Sequence, residues 1–276
     1  MYSRVYVEIT NICNISCSFC HGHSRAPRQM SREEFAVVLR KVRGLCRYIY
    51  FHLMGEPLLH PDLPLFIEQA AEQGLLPVIT TNGTLVQKRK NELIASGVHK
   101  VSISLHSFEG TDKRAHEKYL AEVADFAQSA SASGIIVVLR LWNKGADDSL
   151  NGAVLNFLRS HIDGEWAENT KGIRIHDKLH IEWGDRFEWP DKNAAIQDSD
   201  VFCYGLRDHF GILCDGTVVP CCLDSDGIIN LGNVFENDID SILSSPRAQK
   251  IKEGFACRKA TEALCKKCGY ARRFSI

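Results

Sequence analysis

Three cysteines near the start of the chain are the residues whose type and spacing indicate chemistry most directly. Cys13, Cys17 and Cys20 follow the order C-x3-C-x2-C, directly after an apolar, strand-forming run at residues 5–9. Thiolates this close in sequence can converge on one metal centre, but four cysteines usually hold an iron–sulfur cluster. One iron would keep an open position, which is where catalytic metal sites bind a substrate or cofactor. The spacing alone also fits a zinc knuckle or reduced core cysteines.

A second group of cysteines lies in the last third of the chain. Its members are Cys203, Cys221 and the C-x2-C pair Cys265 and Cys268. Cys221 ends a hairpin pattern in which an Asp-Gly turn stands between β-forming flanks. Four thiolates can close a [4Fe-4S] cluster, but they fit a structural zinc site equally well. We expect the remaining cysteines to be structural: Cys46, Cys214, Cys222 and Cys257. Either Cys214 or Cys257 could replace one of the four predicted ligands.

Length, charge and cysteine usage narrow the class of protein. The 276 residues allow one large domain, or one domain with a smaller annex. A formal net charge of -1 argues against a surface for duplex nucleic acid or anionic membranes. The chain shows neither a signal-peptide pattern nor an apolar run near the roughly 18 residues of a membrane span, so we expect a cytoplasmic protein. Eleven cysteines, an odd number, suit metal ligation better than disulfides.

The order of secondary-structure patterns predicts a parallel α/β fold. Short β-rich runs alternate with helical patterns over the first 145 or so residues, as in strands joined by helical crossovers. Ser31 and Glu34 form a capping box that opens the first helix. About six strands are predicted, fewer than the eight of a complete barrel. The predicted strands are residues 5–9, 48–54, 77–81, 100–105, 135–141 and 179–183, and later helices are predicted at 63–73, 86–96, 116–133 and 150–159.

The residues that directly follow these strands are the next candidates, because parallel α/β folds collect chemistry at the carboxyl ends of their strands. Arg140 stands among apolar residues, where burying a guanidinium requires an anionic partner or a structural ion pair. Each turn motif also has an ordinary structural explanation, since Gly-Glu-Pro and Asn-Gly are common turns and a serine row is common on exposed strands. The candidates at strand ends are Gly55, Glu56, Thr81, Asn82, Ser104 and Arg140.

The cysteine loop and the strand-end motifs together resemble the radical S-adenosylmethionine (SAM) enzymes. Phe19 precedes the last cysteine, as an aromatic residue commonly does in that family, and residues 54–57, M-G-E-P, are similar to its G-G-E-P motif with Met54 in place of the first glycine. Residues 81–83 are similar to its T-N-G turn. The resemblance implies a partial (β/α)6 TIM-like barrel whose [4Fe-4S] cluster is held by Cys13, Cys17 and Cys20.

The same resemblance implies the chemistry and the cofactor contacts. It implies reductive cleavage of SAM to methionine and a 5′-deoxyadenosyl radical that abstracts a substrate hydrogen, with flavodoxin or ferredoxin as electron donor. Glu56 is expected at the SAM ammonium, Arg140 at its carboxylate and Ser104 near its ribose or carboxylate. The cofactor-binding residues implied are Phe19, Gly55, Glu56, Thr81, Asn82, Ser104 and Arg140.

The C-terminal cysteines resemble the twitch domain, the one-cluster short form of the SPASM extension. The likeness includes the hairpin pattern G-x4-C from Gly216 to Cys221. It implies one auxiliary [4Fe-4S] cluster held by Cys203, Cys221, Cys265 and Cys268, because no C-x5-C-x3-C pattern follows Cys268. We therefore expect a barrel over residues 1–198 and an auxiliary-cluster domain over residues 199–276.

The segment 180–190 supplies the candidate substrate residues. Its tryptophans could stack a flat ring while its carboxylates accept N–H groups. Many peptide maturases carry a leader-binding domain ahead of the barrel, whereas the first strand pattern here begins within a few residues of Met1, so we expect a small molecule. We expect a planar, amine-bearing metabolite, with a queuine lyase of 7-deazapurine salvage as the specific candidate. The residues concerned are Glu182, Trp183, Asp185, Glu188 and Trp189.

Three alternatives stay open at this point. The chain could act on a peptide or protein side chain, as SPASM-type maturases do. It could instead be a non-catalytic iron–sulfur or zinc scaffold. Trp183 and Trp189 could also simply pack the open edge of the barrel.

A triple cysteine variant tests the first motif. Replacing Cys13, Cys17 and Cys20 together with alanine should remove about four of about eight irons, because one of two cubanes would lose all its protein thiolates. SAM cleavage should disappear with those irons. Iron analysis and 5′-deoxyadenosine assay after anaerobic reconstitution measure both losses, and a triple variant that still makes 5′-deoxyadenosine would refute the assignment.

Overall fold

The computed structural model describes residues 1–108, 112–146, 148–196 and 200–274. The chain divides into two compact units, and the first comprises Met1–Gly55, Glu72–Leu75 and Phe187–Ile276. The second comprises Glu56–Ala71 and Leu76–Arg186. The predicted domain boundary at residues 198 and 199 lies outside the described residues and stays a prediction.

The α/β class and the six predicted strands are confirmed as β1 to β5 and β8, and the predicted helices as α1 to α5. The strands are β1 Tyr2–Val7, β2 Cys46–Tyr50, β3 Leu76–Thr81, β4 Lys100–Ser104, β5 Ile136–Lys144, β6 Ala167–Asn169, β7 Gly172–His176, β8 Leu179–Asp185, β9 His209–Ile212 and β10 Val218–Val219. The helices are α1 Arg32–Val42, α2 Leu63–Glu72, α3 Lys90–Ala95, α4 Lys113–Ala132, α5 Asn151–His161, α6 Ile239–Leu243 and α7 Pro246–Ala256. Among the described residues, no helix is both long and apolar enough to cross a bilayer.

The first unit is built on a sheet in the order β10-β9-β1-β2. Strand β1 runs parallel to both β2 and β9, while β9 and β10 form the antiparallel hairpin that the Asp-Gly turn predicts. Val5 and Val7 are fully buried, and the residues that alternate with them lie on the opposite face. Helix α1 begins at the predicted capping box of Ser31 and Glu34. The pairing of β9 with β1 was not predicted, because no local pattern specifies a partner about 200 residues away.

The second unit contains a sheet in the order β3-β4-β5-β8-β7-β6. Its first four strands are parallel, and β6 and β7 add an antiparallel hairpin at the edge. Sequence patterns missed this hairpin because β6 is short and exposed at every residue. Gly172 is required in β7, since a Cβ there would lie 1.9 Å from the Ile181 carbonyl oxygen.

His106 is a buried titratable group at the end of β4. Its Nδ1 accepts the backbone N–H of Trp142 at 3.4 Å and lies 3.3 Å from the carbonyl oxygen of Arg140. Burial lowers the pKa of His106 to about 4; the Arg140 charge acts in the same direction, and the contact with the Arg140 carbonyl opposes it. The imidazole is therefore neutral in the folded chain at physiological pH.

This burial predicts a pH dependence of stability. Between pH 6.5 and 4 the unfolded chain binds the His106 proton and the folded chain does not, so stability falls as the pH falls through that window. At pH 5.5 the contribution of His106 should be about 1 kcal/mol lower than at pH 7.5. The His106→Gln variant should lose less stability over this range in anaerobic urea titrations. An identical pH dependence in both proteins would contradict the buried, neutral imidazole.

Candidate active site

The cysteine loop is closed at its base by backbone and amide hydrogen bonds. The N–H of Met30 donates to the Ile9 carbonyl at 2.8 Å. The side chain of Asn11, which is buried, donates to the Ala26 carbonyl at 2.9 Å and accepts the Arg28 N–H at 2.7 Å. The segments before and after the three cysteines therefore lie side by side, and the Asn11 side chain links these two limbs of the loop. Sequence reasoning did not single out Asn11.

The three cysteines follow this base on one short loop. Cys13 and Cys20 are exposed, and Cys17 is half-buried. The Cys20 N–H donates to the Cys17 carbonyl at 3.1 Å, which fixes the last turn of the loop. Three cysteines on one short, braced loop fit a [4Fe-4S] cluster that takes three protein ligands.

A buried ion pair lies directly before and after this loop in sequence. Glu8 is completely buried, and its carboxylate accepts hydrogen bonds from both terminal nitrogens of Arg25, at 2.6 and 2.7 Å. The same carboxylate accepts the backbone N–H of Met54 at 3.2 Å and of Cys214 at 3.1 Å. Sequence reasoning missed both charged residues, although a glutamate at the end of a Val-Tyr-Val strand is itself a signal, because a buried carboxylate needs partners.

The M-G-E-P turn packs tightly on the limb that leads into the cysteines. Gly55 has a φ of 74°, in the left-handed region that favours glycine. A Cβ at Gly55 would lie 2.4 Å from the Thr10 carbonyl oxygen and within 2.9 Å of the Asn11 backbone. The glycine that was expected to let the backbone approach a ligand is therefore required here for an approach to the protein's own backbone.

In the second unit, Glu56 organises the two predicted strand-end turns. Its Oε1 accepts the Leu58 N–H at 3.0 Å and the Thr81 hydroxyl at 2.7 Å, and its Oε2 accepts the Asn82 N–H at 2.7 Å. Burial raises the pKa of Glu56, and these three hydrogen bonds oppose that shift. Tyr119 donates to the Asn82 carbonyl at 2.9 Å. The structure thus brings together Glu56, Thr81 and Asn82, which the sequence identified separately.

Ser104 and Arg140 lie side by side at the carboxyl ends of β4 and β5, where they are register partners. The guanidinium of Arg140 stacks over the Trp142 ring at 3.6 Å from its centroid. A Cβ at Gly184 would lie 2.6 Å from that ring, so only glycine leaves room for it. The roles of Ser104 and Arg140 toward SAM stay predictions.

The five candidate substrate residues do not form one continuous lining. Glu182 pairs in register with Arg140, so it shares a face of the sheet with Arg140 and Ser104. Trp183 pairs with Leu141 and lies, with Asp185, on the opposite face. Glu188 is exposed and belongs to the first unit. Trp189 donates its indole N–H to the Phe19 carbonyl at 3.1 Å. Trp189 therefore braces the cysteine loop, a contact that the sequence did not predict.

The auxiliary cysteines converge within the first unit. Burial raises the pKa of the Cys221 thiol, and Cys222, Cys203, Cys265 and Cys268 raise it further through their charges. A Cβ at Gly205 would lie 3.8 Å from both the Cys203 sulfur and the Cys221 Cβ.

This convergence fits a shared cluster. A [4Fe-4S] cubane takes each of four thiolates on a different iron, so four thiols that lie close together suit such a cluster. Cys222 is a fifth thiol beside them, although the sequence predicted a structural role for it. In the described part of the chain, no three His, Cys, Asp or Glu side chains are arranged to hold a single metal ion.

The two alternative ligands behave differently. Cys257 is an exposed thiol after α7. Cys214 is buried, and its sulfur lies 3.7 Å from Arg25. Cys46 is also buried, as predicted, and burial raises its pKa to about 12.

The close approach of Gly55 predicts a large effect of a single methyl group. Gly55→Ala should destabilise the apoprotein by about 3 kcal/mol or more, because it combines left-handed strain with a backbone clash. Gly44→Ala is the matched control, since Gly44 has a φ of 75° and nothing within 4 Å of its Cβ position. The control should lose only about 1 kcal/mol. Equal losses in denaturant titrations would show that the contact with Thr10 is not tight.

Comparison with known proteins places the chain in a family. Residues 7–143 match the radical SAM superfamily, and residues 203–269 match the SPASM iron–sulfur cluster-binding domain. A probable GTP 3′,8-cyclase of Methanocella arvoryzae is 33% identical over 276 residues, covering 87% of this chain and 88% of the relative.

Two solved structures share the fold at low sequence identity. BtrN in complex with AdoMet and 2-DOIA has a TM-score of 0.62 and 20% identity, and the match covers 97% of this chain and 93% of BtrN. Streptococcus suis SuiB bound to the precursor peptide SuiA has a TM-score of 0.63 and 16% identity, covering 99% and 70%. The chain therefore belongs to the radical SAM superfamily: it is an enzyme that uses SAM and a [4Fe-4S] cluster, with a SPASM-type auxiliary iron–sulfur domain.

Proposed function

We propose that this enzyme abstracts hydrogen from a small, planar, amine-bearing metabolite. The observation that carries the radical chemistry is the braced loop with three cysteines, accompanied by a second convergent group of four. Together, reduced cluster and SAM supply a 5′-deoxyadenosyl radical, and the protein's task is to bind, orient and shield the substrate. Flavodoxin or ferredoxin is the proposed electron donor, and the cytoplasm is the proposed location because it keeps thiols reduced.

The metal ligands follow from the two thiol groups. Cys13, Cys17 and Cys20 are proposed to hold the SAM cluster. A single auxiliary [4Fe-4S] cluster is assigned to Cys203, Cys221, Cys265 and Cys268, with the domain boundary near residue 198. Support comes from the exposure of the first group and the mutual charge effects within the second.

The SAM contacts are proposed residue by residue. Glu56 accepts three hydrogen bonds from protein groups, and a carboxylate has about four acceptor sites, which leaves one for the SAM ammonium. Arg140 carries a fixed positive charge suited to the SAM carboxylate. The other proposed contacts are Phe19, Gly55, Thr81, Asn82 and Ser104.

The substrate proposal rests on β8 and on the relatives. Glu182 lies on the face of β8 that it shares with the proposed SAM residues Ser104 and Arg140, so its carboxylate can accept the N–H groups of a substrate held beside SAM. Trp183 and Asp185 lie on the opposite face and are second to Glu182 as candidates. The relative named a GTP 3′,8-cyclase acts, by its name, on a nucleotide whose base is planar and carries an exocyclic amine. Queuine, which shares that base pattern, stays a substrate to test, but the relative's name favours a guanine nucleotide over queuine and does not support a lyase.

A peptide or protein substrate is the second candidate. It is favoured by the shared fold with SuiB, which was captured with a precursor peptide. At 16% identity this likeness extends to the fold alone, whereas the cyclase relative is 33% identical. The small-molecule proposal is therefore the one to test first.

Two substitutions in β8 test the substrate proposal. Glu182→Ala, on the face of Arg140 and Ser104, should weaken substrate binding by about 1 to 3 kcal/mol through loss of a charged hydrogen bond. Trp183→Ala, on the opposite face, should weaken it less. Iron content and substrate-free SAM cleavage should not change. Asp177→Ala, at an exposed aspartate of the same unit, is the matched control.

Anaerobic calorimetry with GTP, guanine, queuine and short peptides provides the measurement. The proposal predicts that a purine-like ligand binds the wild type and the control variant but binds Glu182→Ala more weakly. Binding of a peptide, with no heterocycle detected, would contradict it. Full affinity in Glu182→Ala would remove Glu182 from the substrate site.

A further inference from the structure

The Glu8–Arg25 pair joins segments that carry both thiol groups. Glu8 precedes Cys13 by five residues, and Arg25 follows Cys20 by five, so the pair links the segments on either side of the three cysteines, as Asn11 does. The pair is buried, with side-chain exposures of 0% for Glu8 and 14% for Arg25. A bidentate guanidinium–carboxylate contact fixes relative orientation as well as distance.

The outgoing limb of the loop is also tied to the hairpin segment that contains Cys221. The Nε of Arg25 donates to the Ser225 carbonyl at 2.8 Å, and the Nε of Arg28 donates to the Cys214 carbonyl at 2.9 Å. The Ser24 N–H donates to Asp226 Oδ1 at 2.6 Å. Contacts from one limb thus fall on both sides of Cys221 in sequence.

We propose that Glu8 and Arg25 are positioning residues that couple the cysteine loop to the auxiliary hairpin. The Glu8 carboxylate accepts N–H groups from Met54, in the M-G-E-P turn, and from Cys214, in the hairpin. One carboxylate therefore fixes three segments relative to one another: the limb after the cysteines, the M-G-E-P turn and the hairpin. The inference rests on the proposed ligand assignments, and it predicts that the state of the auxiliary site changes the environment of the SAM cluster.

A buried ion pair is a poor source of net stability, because desolvation cancels much of the attraction. Its replacement by apolar side chains is often neutral or stabilising, whereas removal of one partner strands the other charge. Stability and positioning can therefore be separated experimentally. The Met54 and Cys214 amides donate to different oxygens of Glu8, so both lose their acceptor in Glu8→Leu and one of them loses it in Glu8→Gln.

Hydrogen exchange on the apoprotein tests the contacts without depending on activity. Glu8→Gln should lose about tenfold or more of the protection at one of the Met54 and Cys214 amides, because the NH2 group that replaces one carboxylate oxygen cannot accept a hydrogen bond. Arg25→Lys keeps the charge but loses the bidentate guanidinium contact, so its amide protection should lie between that of Glu8→Gln and that of the wild type. Glu165→Gln is the matched control, because it breaks an exposed Arg174–Glu165 pair in the other unit. Full protection in Glu8→Gln would overturn the proposal.

The double variant Glu8→Leu/Arg25→Met separates positioning from stability. We expect thermal stability at or above that of Glu8→Gln, while SAM cleavage stays about ten- to a hundredfold below wild type, as for loss of one charge-assisted hydrogen bond. Wild-type cleavage with a wild-type electron paramagnetic resonance spectrum would show a purely structural pair. A double variant that fails to fold would also overturn the proposal, because it would make the pair essential for stability.

The coupling itself is tested at the auxiliary site. Cys221→Ala should change the SAM-induced shift in the resonance spectrum of the loop cluster when Glu8 and Arg25 are present. The same substitution in the double variant should have no further effect on that spectrum. An unchanged spectrum in Cys221→Ala would overturn the coupling, whereas absence of SAM cleavage in the wild type would count against the proposed function alone.

Discussion

A carboxylate withdrawn completely from water must be matched by donors, and the first unit is arranged to match Glu8. Its donors come from the limb after the cysteines, from the turn after β2 and from the hairpin near the C-terminus. Without Arg25 the buried carboxylate would lose its counter-charge, at a cost of about 3 to 5 kcal/mol. Without the Met54 or Cys214 N–H it would lose a hydrogen bond. Satisfying one side chain therefore constrains the cysteine loop, the M-G-E-P turn and the auxiliary hairpin at once.

The second unit also contains a buried glutamate that accepts hydrogen bonds from more than one turn. Glu56 accepts from Leu58, Thr81 and Asn82, so the turns after two strands are set by one buried group. In both units a buried glutamate fixes the turns and loops that carry candidate site residues. This arrangement suits an enzyme whose cofactors supply the reactive species, since the protein must supply geometry.

Local sequence patterns predicted the elements well and the long-range contacts poorly. The capping box at Ser31, the Asp215-Gly216 turn and the six strands all follow from periodicity and turn chemistry, which act over a few residues. The pairing of β9 with β1, the Glu8–Arg25 contact and the Trp189 hydrogen bond to Phe19 depend on tertiary structure. For the candidate site, residue types identified the thiols and Glu56, but alternation along β8 was needed to separate Glu182 from Trp183.

We propose that Cys13, Cys17 and Cys20 hold a cluster with one iron open to SAM, and that protein thiolates ligate every iron of the auxiliary cluster. Mössbauer spectroscopy of the 57Fe-reconstituted protein, with and without SAM, distinguishes these two kinds of cluster. Two [4Fe-4S] clusters are expected, with a SAM-dependent change confined to about one of about eight irons. Spectra that do not respond to SAM, or a change spread over both clusters, would contradict the proposal.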